Sequence, residues 1–489
     1  MATRRRSTGT KPKRAPHAPR RTAAPPQARR SGLAPGAARV RATRALAEWV
    51  ASPHAFPEST IATARRCVLD WLGAGIAGTA LPPARIAARL AAQLGGAKES
   101  TVLAGGRVGA TAAALANGVA SHSVEMDDLH RPSVMHLGVV TIPAALALAE
   151  REHAPGRRLL EAIVCGYEVG ARVGEALGDR HYRIWHTTGT AGTFAAAAAG
   201  AVILGLSADE ALHALGTAGT LCAGLWEFLE DGAMSKTLHA GRAAETGVLS
   251  ALLARDGFTG ASAILEGEKG VLRAMAGGGE AARLVEGLGA ALRIDGNSFK
   301  LHAACGHTHP AVDAALELRR RGVRARDVAT VRVGTFRTAL EVTSIRDPQS
   351  PYQAKFSLPF CVALALSRGR VGLAEFTPAS LADPELRALA DRVALAEDPA
   401  CNRAFPARWQ AAVTVGLATG RRETVRVEAP RGSPENPASD GELREKFDGL
   451  CEGRIPPARR DALRRAVDAL HGMDDVAAAA WGADADGRQ

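Results

Sequence analysis

Between residues 41 and about 270 the chain repeats one pattern, and that pattern limits its fold more than anything else. Ala, Leu and Val recur at three- and four-residue spacing in Ser59–Ile76, Ala84–Leu94, Ala110–His122, Arg157–Leu177 and Leu238–Arg255, the period of helices with one buried face. Gly95-Gly96, Gly178 and Gly257 fall where such helices should end. The stretch Thr187–Ser207 is uncharged and long enough to cross a membrane, but its bulk is Ala, Gly and Thr rather than Leu. Ser207-Ala-Asp-Glu then reads as a capping box. This predicts a buried core helix whose small side chains let its neighbours come close.

After about residue 285 the texture changes. Val328–Arg337 and Ala411–Val427 alternate apolar and polar residues, and Thr419-Gly420 punctuates the second run like a hairpin turn. Helical pieces lie at Pro310–Arg321 and Leu358–Ser367, and again at Gly441–Leu450 and Ala458–His471. The expected fold class is mainly α: a large all-helical domain over 41–284, a smaller inserted α+β lid domain over 285–435, and C-terminal helices over 436–480 returning to the helical domain.

Composition matters here for where the charge lies. The net charge of +11 suggests a nucleic-acid partner until it is located. Residues 1–40 carry eleven basic side chains and no acidic one, which leaves 50 basic against 50 acidic residues in the body. A disordered basic tail is therefore expected over 1–40, able at most to touch a polyanion weakly. No apolar segment follows Arg4–Arg6 as an export signal requires, and the expected location is cytoplasmic, with import into an organelle through the tail left open. Seven scattered cysteines without a CxxC pair argue for reduced thiols and against a zinc ribbon. Phosphate-loop, dinucleotide and GxSxG motifs are missing, so ATP, NAD, FAD and an α/β-hydrolase are unsupported.

Chemistry concentrates in four short windows that hold nine of the fourteen histidines: SHSVEMDDLHRPSVMH (121–136), HYRIWHTTG (181–189), DGAMSKTLHAGR (231–242) and FKLHAACGHTH (299–309). The body has only six lysines, and Lys236 and Lys300 fall inside these windows, with Lys355 in YQAKFSLPF (352–360). An ammonium that burial can tune is not replaced by a guanidinium. Lys236, His239 and Arg242 are spaced to share a helix face, and His309 and Asp313 suit one first turn. Together the windows describe a cationic pocket with histidines that move protons near neutral pH, suited to a polycarboxylate. His122, Glu125, Asp127, Asp128 and His136 also have the chemistry of a metal site, as do His307 and His309. Two lysines in the same pocket raise the electrostatic cost of a dication. For His130, His153 and His213 a satisfied, partly buried side chain is the plainer reading.

In order along the chain, SHSVEMDDLHRPSVMHLG, WHTTGTAGTFAAAAAGAVILGLS, GAMSKTLHAGRAA, FKLHAACGHTHPAVDAA, SPYQAKFSLPF and NPASDGELREKF resemble the signatures of the MmgE/PrpD family, the 2-methylcitrate dehydratase-like lyases. The resemblance spans about 41 to 470. It implies a helical domain with a smaller lid, a homodimer, and lyase or isomerase chemistry on citrate-like acids with no cofactor and no metal. Carried over, the site is Glu125, Asp127, Asp128, His136, His186, Lys236, His239 and Lys300, with Asp127 and His239 expected to bind substrate and the other six to be catalytic; Arg242, Cys305 and His309, from the same windows, are added as substrate-binding candidates. The reaction expected is dehydration of 2-methylcitrate or a related hydroxy acid. The alternatives are an epimerase or decarboxylase of a related acid, or an inactive carboxylate-binding protein. Five positions depart from the family pattern: Glu125 for Asp, Leu129 for Thr, Leu137 between the His and Pro of a pair, Cys305 for His, and Phe360 for the Tyr of aconitate decarboxylases.

Overall fold

The computed structural model describes residues 41–484; the basic tail expected over 1–40 lies outside the described residues. The described chain is mainly helical with little strand. At its centre runs Thr187–Leu204, whose residues are buried almost without exception. Its neighbours are Gly138–Arg151, Gly156–Tyr182, Ala208–Leu221 and Ser235–Arg255. Among the described residues it is the one helix long and apolar enough to cross a membrane, and protein surrounds it instead. The close approach depends on missing side-chain atoms. A Cβ on Gly247 would lie 2.2 Å from the Cβ of Ala196 and 2.6 Å from its carbonyl carbon. The central helix ends at Gly205 in the left-handed region (φ 64°), and the next starts on the Ser207/Glu210 capping box.

A second, smaller core is built on a four-stranded sheet ordered Val393–Glu397, Val328–Thr335, Ala411–Leu417, Arg422–Val427. The hairpin turns at Gly420 (φ 86°) with Val413 opposite Val425. Alternation of buried and exposed residues on Val328–Thr335 sends Val331 and Val333 inward, against the helices His309–Arg320 and Leu358–Arg368. The strand Val393–Glu397 pairs parallel to Val328–Thr335 at the sheet edge. Its five residues, only partly buried, give too short an alternation to read from sequence.

The chain crosses between the cores. Residues 285–301, assigned from texture to the α+β part, pack on the helical core through Leu288, Leu292, Ile294 and Phe299. Asp440–Cys451 and Pro457–Ala469 also join that core, through Leu443, Phe447, Leu463 and Val467. All seven cysteines are buried and free of disulfides.

Gly247→Ala should destabilise the protein by about 1–3 kcal/mol through overpacking, read as a lowered midpoint in urea. Gly449→Ala, where nothing lies within 4 Å of the added carbon, should instead raise it by about 0.4–1 kcal/mol.

Candidate functional site: an acidic loop held by buried lysines

Helix Ala110–His122 ends at the boundary between the cores, and residues 123–131 that follow are all buried. Four lysines close on it from four separate segments. Lys236 pairs with Glu125 Oε1, and Lys300 lies 3.5 Å from Glu125 Oε2 and 3.7 Å from Asp127 Oδ1. Lys355 donates to the Val124 carbonyl at 2.6 Å. Lys446 donates to the Met126 carbonyl and pairs with Asp70 at 2.5 Å. The remaining two body lysines, Lys98 and Lys269, are exposed. Glu125 sits at φ 59°, a left-handed conformation uncommon outside glycine, and its two ammonium partners hold it there. Burial alone would raise the Glu125 carboxyl, but Lys236 and Lys300 outweigh it and push it far below the carboxylate range. Burial opposes charge on Lys300 too, and Asp127 and Glu125 reverse the balance to raise it. Lys355, with more burial than partner, is drawn down to about 8.

The histidines gather on the same loop. Asp127 Oδ2 accepts from His122 Nδ1 at 2.8 Å and lies 3.0 Å from His136 Nδ1. His136 Nδ1 also donates to the Asp128 carbonyl at 2.7 Å. With Nδ1 donating to that carbonyl and the Asp127 carboxylate beside it, neutral His136 carries its proton there, and Nε2 is the basic nitrogen. His186 caps the central helix; its ring lies 5.7 Å from that of His122 and bonds His239 Nδ1-to-Nδ1 at 3.2 Å. Burial, then the neighbouring His122, His239 and Lys236, holds His186 well below its usual range. Burial likewise brings His122 and His239 to about 4 and His307 to about 3.

These groups border a chamber of about 20 Å³, room for about one water molecule. His136, His186, Lys236, Cys305 and His307 line it, with Leu129, Val134, Phe356 and Trp409 as apolar wall. Tyr182 and Trp226 line both this chamber and an outer cleft of about 640 Å³ bounded by Arg183, Glu227, Arg337 and Glu341. Three helices, Gly138–Arg151, Thr187–Leu204 and Ser235–Arg255, begin around the chamber, so their N-terminal partial charges favour an anion there.

The remaining candidates stand further out. Glu125, Asp127 and Lys300 form the layer behind the wall, with His122. His239 does not face the chamber; it backs His186 and is partly exposed. Asp128 is spent as an anchor, accepting from Gly138 N–H at 3.0 Å, Asn297 at 2.7 Å and the Tyr167 hydroxyl. It positions His136 through its own backbone carbonyl rather than touching substrate. His309 is turned to the Ala304 carbonyl at 3.2 Å and packs on His302. Arg242 is half-exposed and pairs with Glu245. Three-residue steps fall about 60° short of a turn, so Arg242 is rotated about 120° from Lys236. Among the histidines read as plain side chains, His130 bonds Ser133 and His213 the Gly260 carbonyl, whereas His153 is exposed and pairs with Asp475.

A metal ion has one candidate triad among the described residues: His122, Asp127 and His136, with ligand atoms within 4.8 Å of one another. Both imidazoles, however, turn the same Nδ1 to one carboxylate oxygen, and Lys300 stands 3.7 Å from the other. That donor set is arranged as a hydrogen-bonded His122–Asp127 pair with His136 bonded to the Asp128 carbonyl beside it.

The MmgE/PrpD N-terminal domain matches residues 44–284 and the MmgE/PrpD C-terminal domain matches 302–471. The chain belongs to the MmgE/PrpD family. It is 28% identical to a cis-aconitate decarboxylase-like protein of Aspergillus oryzae over 89% of this chain and 95% of that one. It is 28% identical to the cis-aconitate decarboxylase of Homo sapiens over 86% of this chain and 89% of the other. With the 2-methylcitrate dehydratase of Cupriavidus necator it shares 29% identity over 54% of this chain and 57% of that one.

Within this MmgE/PrpD chain the departures fall at different depths. Leu129 and Cys305 stand in the chamber wall. Leu137 is buried just before helix Gly138–Arg151. Phe360 packs in the second core against Phe376 and does not line the chamber, so the missing hydroxyl at that position has no bearing on the wall. Chamber residues that are not among the expected site residues include His307, Tyr182, Trp226, Phe356 and Trp409. His307 lay inside a marked window; the aromatic residues carried no signal that separates a wall from a core.

Stability should fall on acidification from about pH 6.5. His122, His130, His181, His239 and His307 take up protons in the unfolded chain near pH 6.5 but in the fold only near 3 to 4. The unfolded state therefore binds more protons across that window, and stability rises with pH through it. Asp70, raised to about 6, and Asp128 and Glu150, also raised by burial, act oppositely, while Glu125 and Asp127, lowered by their cations, act with the five histidines and keep the balance on their side. Urea midpoints at pH 7, 6, 5 and 4 should drop steadily; a flat profile refutes the buried neutral state of these rings.

Proposed function

We propose that the protein is a cofactor-independent lyase that dehydrates a citrate-like hydroxy acid of the 2-methylcitrate type. The observation that carries this reading is His136, its Nδ1 pinned by Asp127 and the Asp128 carbonyl, beside Lys236 in one closed chamber. Dehydration removes a weakly acidic proton next to a carboxylate and expels hydroxide. His136 Nε2 takes the carbon-bound proton, and Asp127 stabilises the imidazolium that forms. Lys236, facing the chamber from the start of its helix, balances the charge that grows on the substrate carboxylate. Lys300 keeps Glu125 and Asp127 compensated, and His186 supplies a proton to the departing hydroxide. The apolar wall of Leu129, Val134, Phe356 and Trp409 suits an alkyl branch on the acid. Entry requires the Tyr182–Trp226 rim to part, since the chamber as it stands is smaller than the substrate.

Decarboxylation of cis-aconitate is the second reading. Two relatives aligned over most of this chain carry that activity in their names, and the Phe360 departure lies outside the chamber. There the carboxylate leaves as carbon dioxide, its electron pair stays on carbon, and a proton from His186 lands on that carbon.

Incubation with 2-methylcitrate, citrate and cis-aconitate, followed by proton NMR and carbon dioxide release, separates the two. A new alkene without carbon dioxide supports dehydration, carbon dioxide supports decarboxylation, and neither refutes the lyase. His136→Gln and Lys236→Met should each lower kcat by about a hundredfold or more while circular dichroism stays that of the parent. Near-parental turnover in both removes the assignment.

A further inference from the structure

The rings of His186 and His239 form a chain of nitrogens from the chamber to the outside. His186 borders the chamber, and its Nδ1 lies 3.2 Å from His239 Nδ1. At that distance one nitrogen donates and the other accepts, so the two rings share a single proton between them. His239, one turn after Lys236 on the same helix, is partly exposed, and with Nδ1 directed inward its Nε2 edge is left for water. The His186 backbone N–H is fixed by the Gly224 carbonyl at 3.0 Å. A Cβ on Gly224 (φ 138°) would lie 3.3 Å from His239 Nδ1, and one on Gly189 would lie 3.1 Å from the His239 Cβ. Phe228 packs edge-on against both rings, with centroids at 6.3 and 5.7 Å, and Trp226 covers His186 at 4.9 Å. The rings are locked in register between small backbone on one side and aromatic faces on the other.

We propose that His186 and His239 are a proton conduit between the reaction chamber and solvent, with His239 acting through His186 rather than on substrate. Outward transfer forms an N–H bond at His186 Nε2 and breaks the one at its Nδ1. The same transfer forms an N–H at His239 Nδ1 and breaks the one at its Nε2, releasing the proton to water. Inward transfer is the reverse, and a transfer in one direction sets the tautomers for a transfer in the other. Burial holds both rings neutral, as the shared proton requires. This rests on the lyase reading of the chamber, where decarboxylation consumes one solvent proton per turnover and dehydration must recharge its acid.

Two measurements on the full-length protein test it. With 2-methylcitrate and cis-aconitate as probes, His239→Ala should lower kcat by roughly ten- to a hundredfold, within the range of a lost acid–base partner, leaving KM little changed. Added imidazole should restore turnover in proportion to its concentration while leaving the parent unaffected. A loss that imidazole does not restore, or a rise in KM alone, overturns the conduit, and His239→Gln should behave as His239→Ala if the fold is intact. Independently of any substrate, nitrogen-15 NMR of the unliganded protein should show the His186 ring proton exchanging with water at least about tenfold more slowly in His239→Ala. Equal exchange overturns the conduit even if the parent is active, whereas exchange slowed by His239→Ala in a protein whose parent turns over neither acid rejects the lyase reading and leaves the conduit standing.

Discussion

Everything at this site depends on moving an acidic loop out of water and compensating it there. Glu125 and Asp127 are buried to within a per cent or so, and a lone buried carboxylate would protonate rather than stay charged. Lys236 and Lys300 supply the opposing charge, while Lys355 and Lys446 fasten the backbone on either side. Such a cluster contributes little net stability, because desolvation of each ion consumes most of the attraction. What it contributes is geometry. A glutamate at φ 59° and a carboxylate shared by two imidazoles persist only when the surroundings over-determine them.

The alanine-rich bundle makes that geometry available. Gly247 and Ala196 let the helices Thr187–Leu204 and Ser235–Arg255 touch backbone to backbone, which brings His186 and Lys236, each at the start of its helix, to the same end of the bundle. Bulkier residues would push these starts apart and with them the imidazole and the ammonium. The second core supplies the other wall, since Cys305 and His307 precede helix His309–Arg320, and Phe356 precedes Leu358–Arg368.

Much of this was legible in the sequence, for identifiable reasons. Helical periodicity and the capping box at Ser207 are local, and so are the hairpin at Gly420 and the buried nature of the uncharged Thr187–Ser207 stretch. Scarcity of lysine pointed to Lys236 and Lys300, because a composition rich in Arg makes each retained ammonium informative. Depth was not legible. One helix face holds Lys236 and His239 yet turns Arg242 to solvent, a consequence of angle rather than of residue type. Asp127 and Asp128 are adjacent in sequence and opposite in use: one binds two imidazoles, the other is consumed by Tyr167, Asn297 and Gly138. Only the partners distinguish them, and those partners come from segments far along the chain. Lys446, 320 residues from the Met126 carbonyl it holds, is the extreme case.

The compensated loop also sets what a ligand must do on entering. At rest Lys236 is neutralised by Glu125, so a multiply negative acid does not meet a free cation; it competes with a carboxylate for one. If Glu125 kept its place, the added charge would be unscreened in a dry chamber at a cost no single ammonium recovers. The neutral rings around the chamber offer the remedy. His307 in the wall and His122 behind it are held neutral by burial, and on the proposed reading a bound polyanion favours their protonation. On the proposed reading, buried neutral histidines beside an already compensated ion cluster are the groups through which such a site can gain positive charge without moving Glu125.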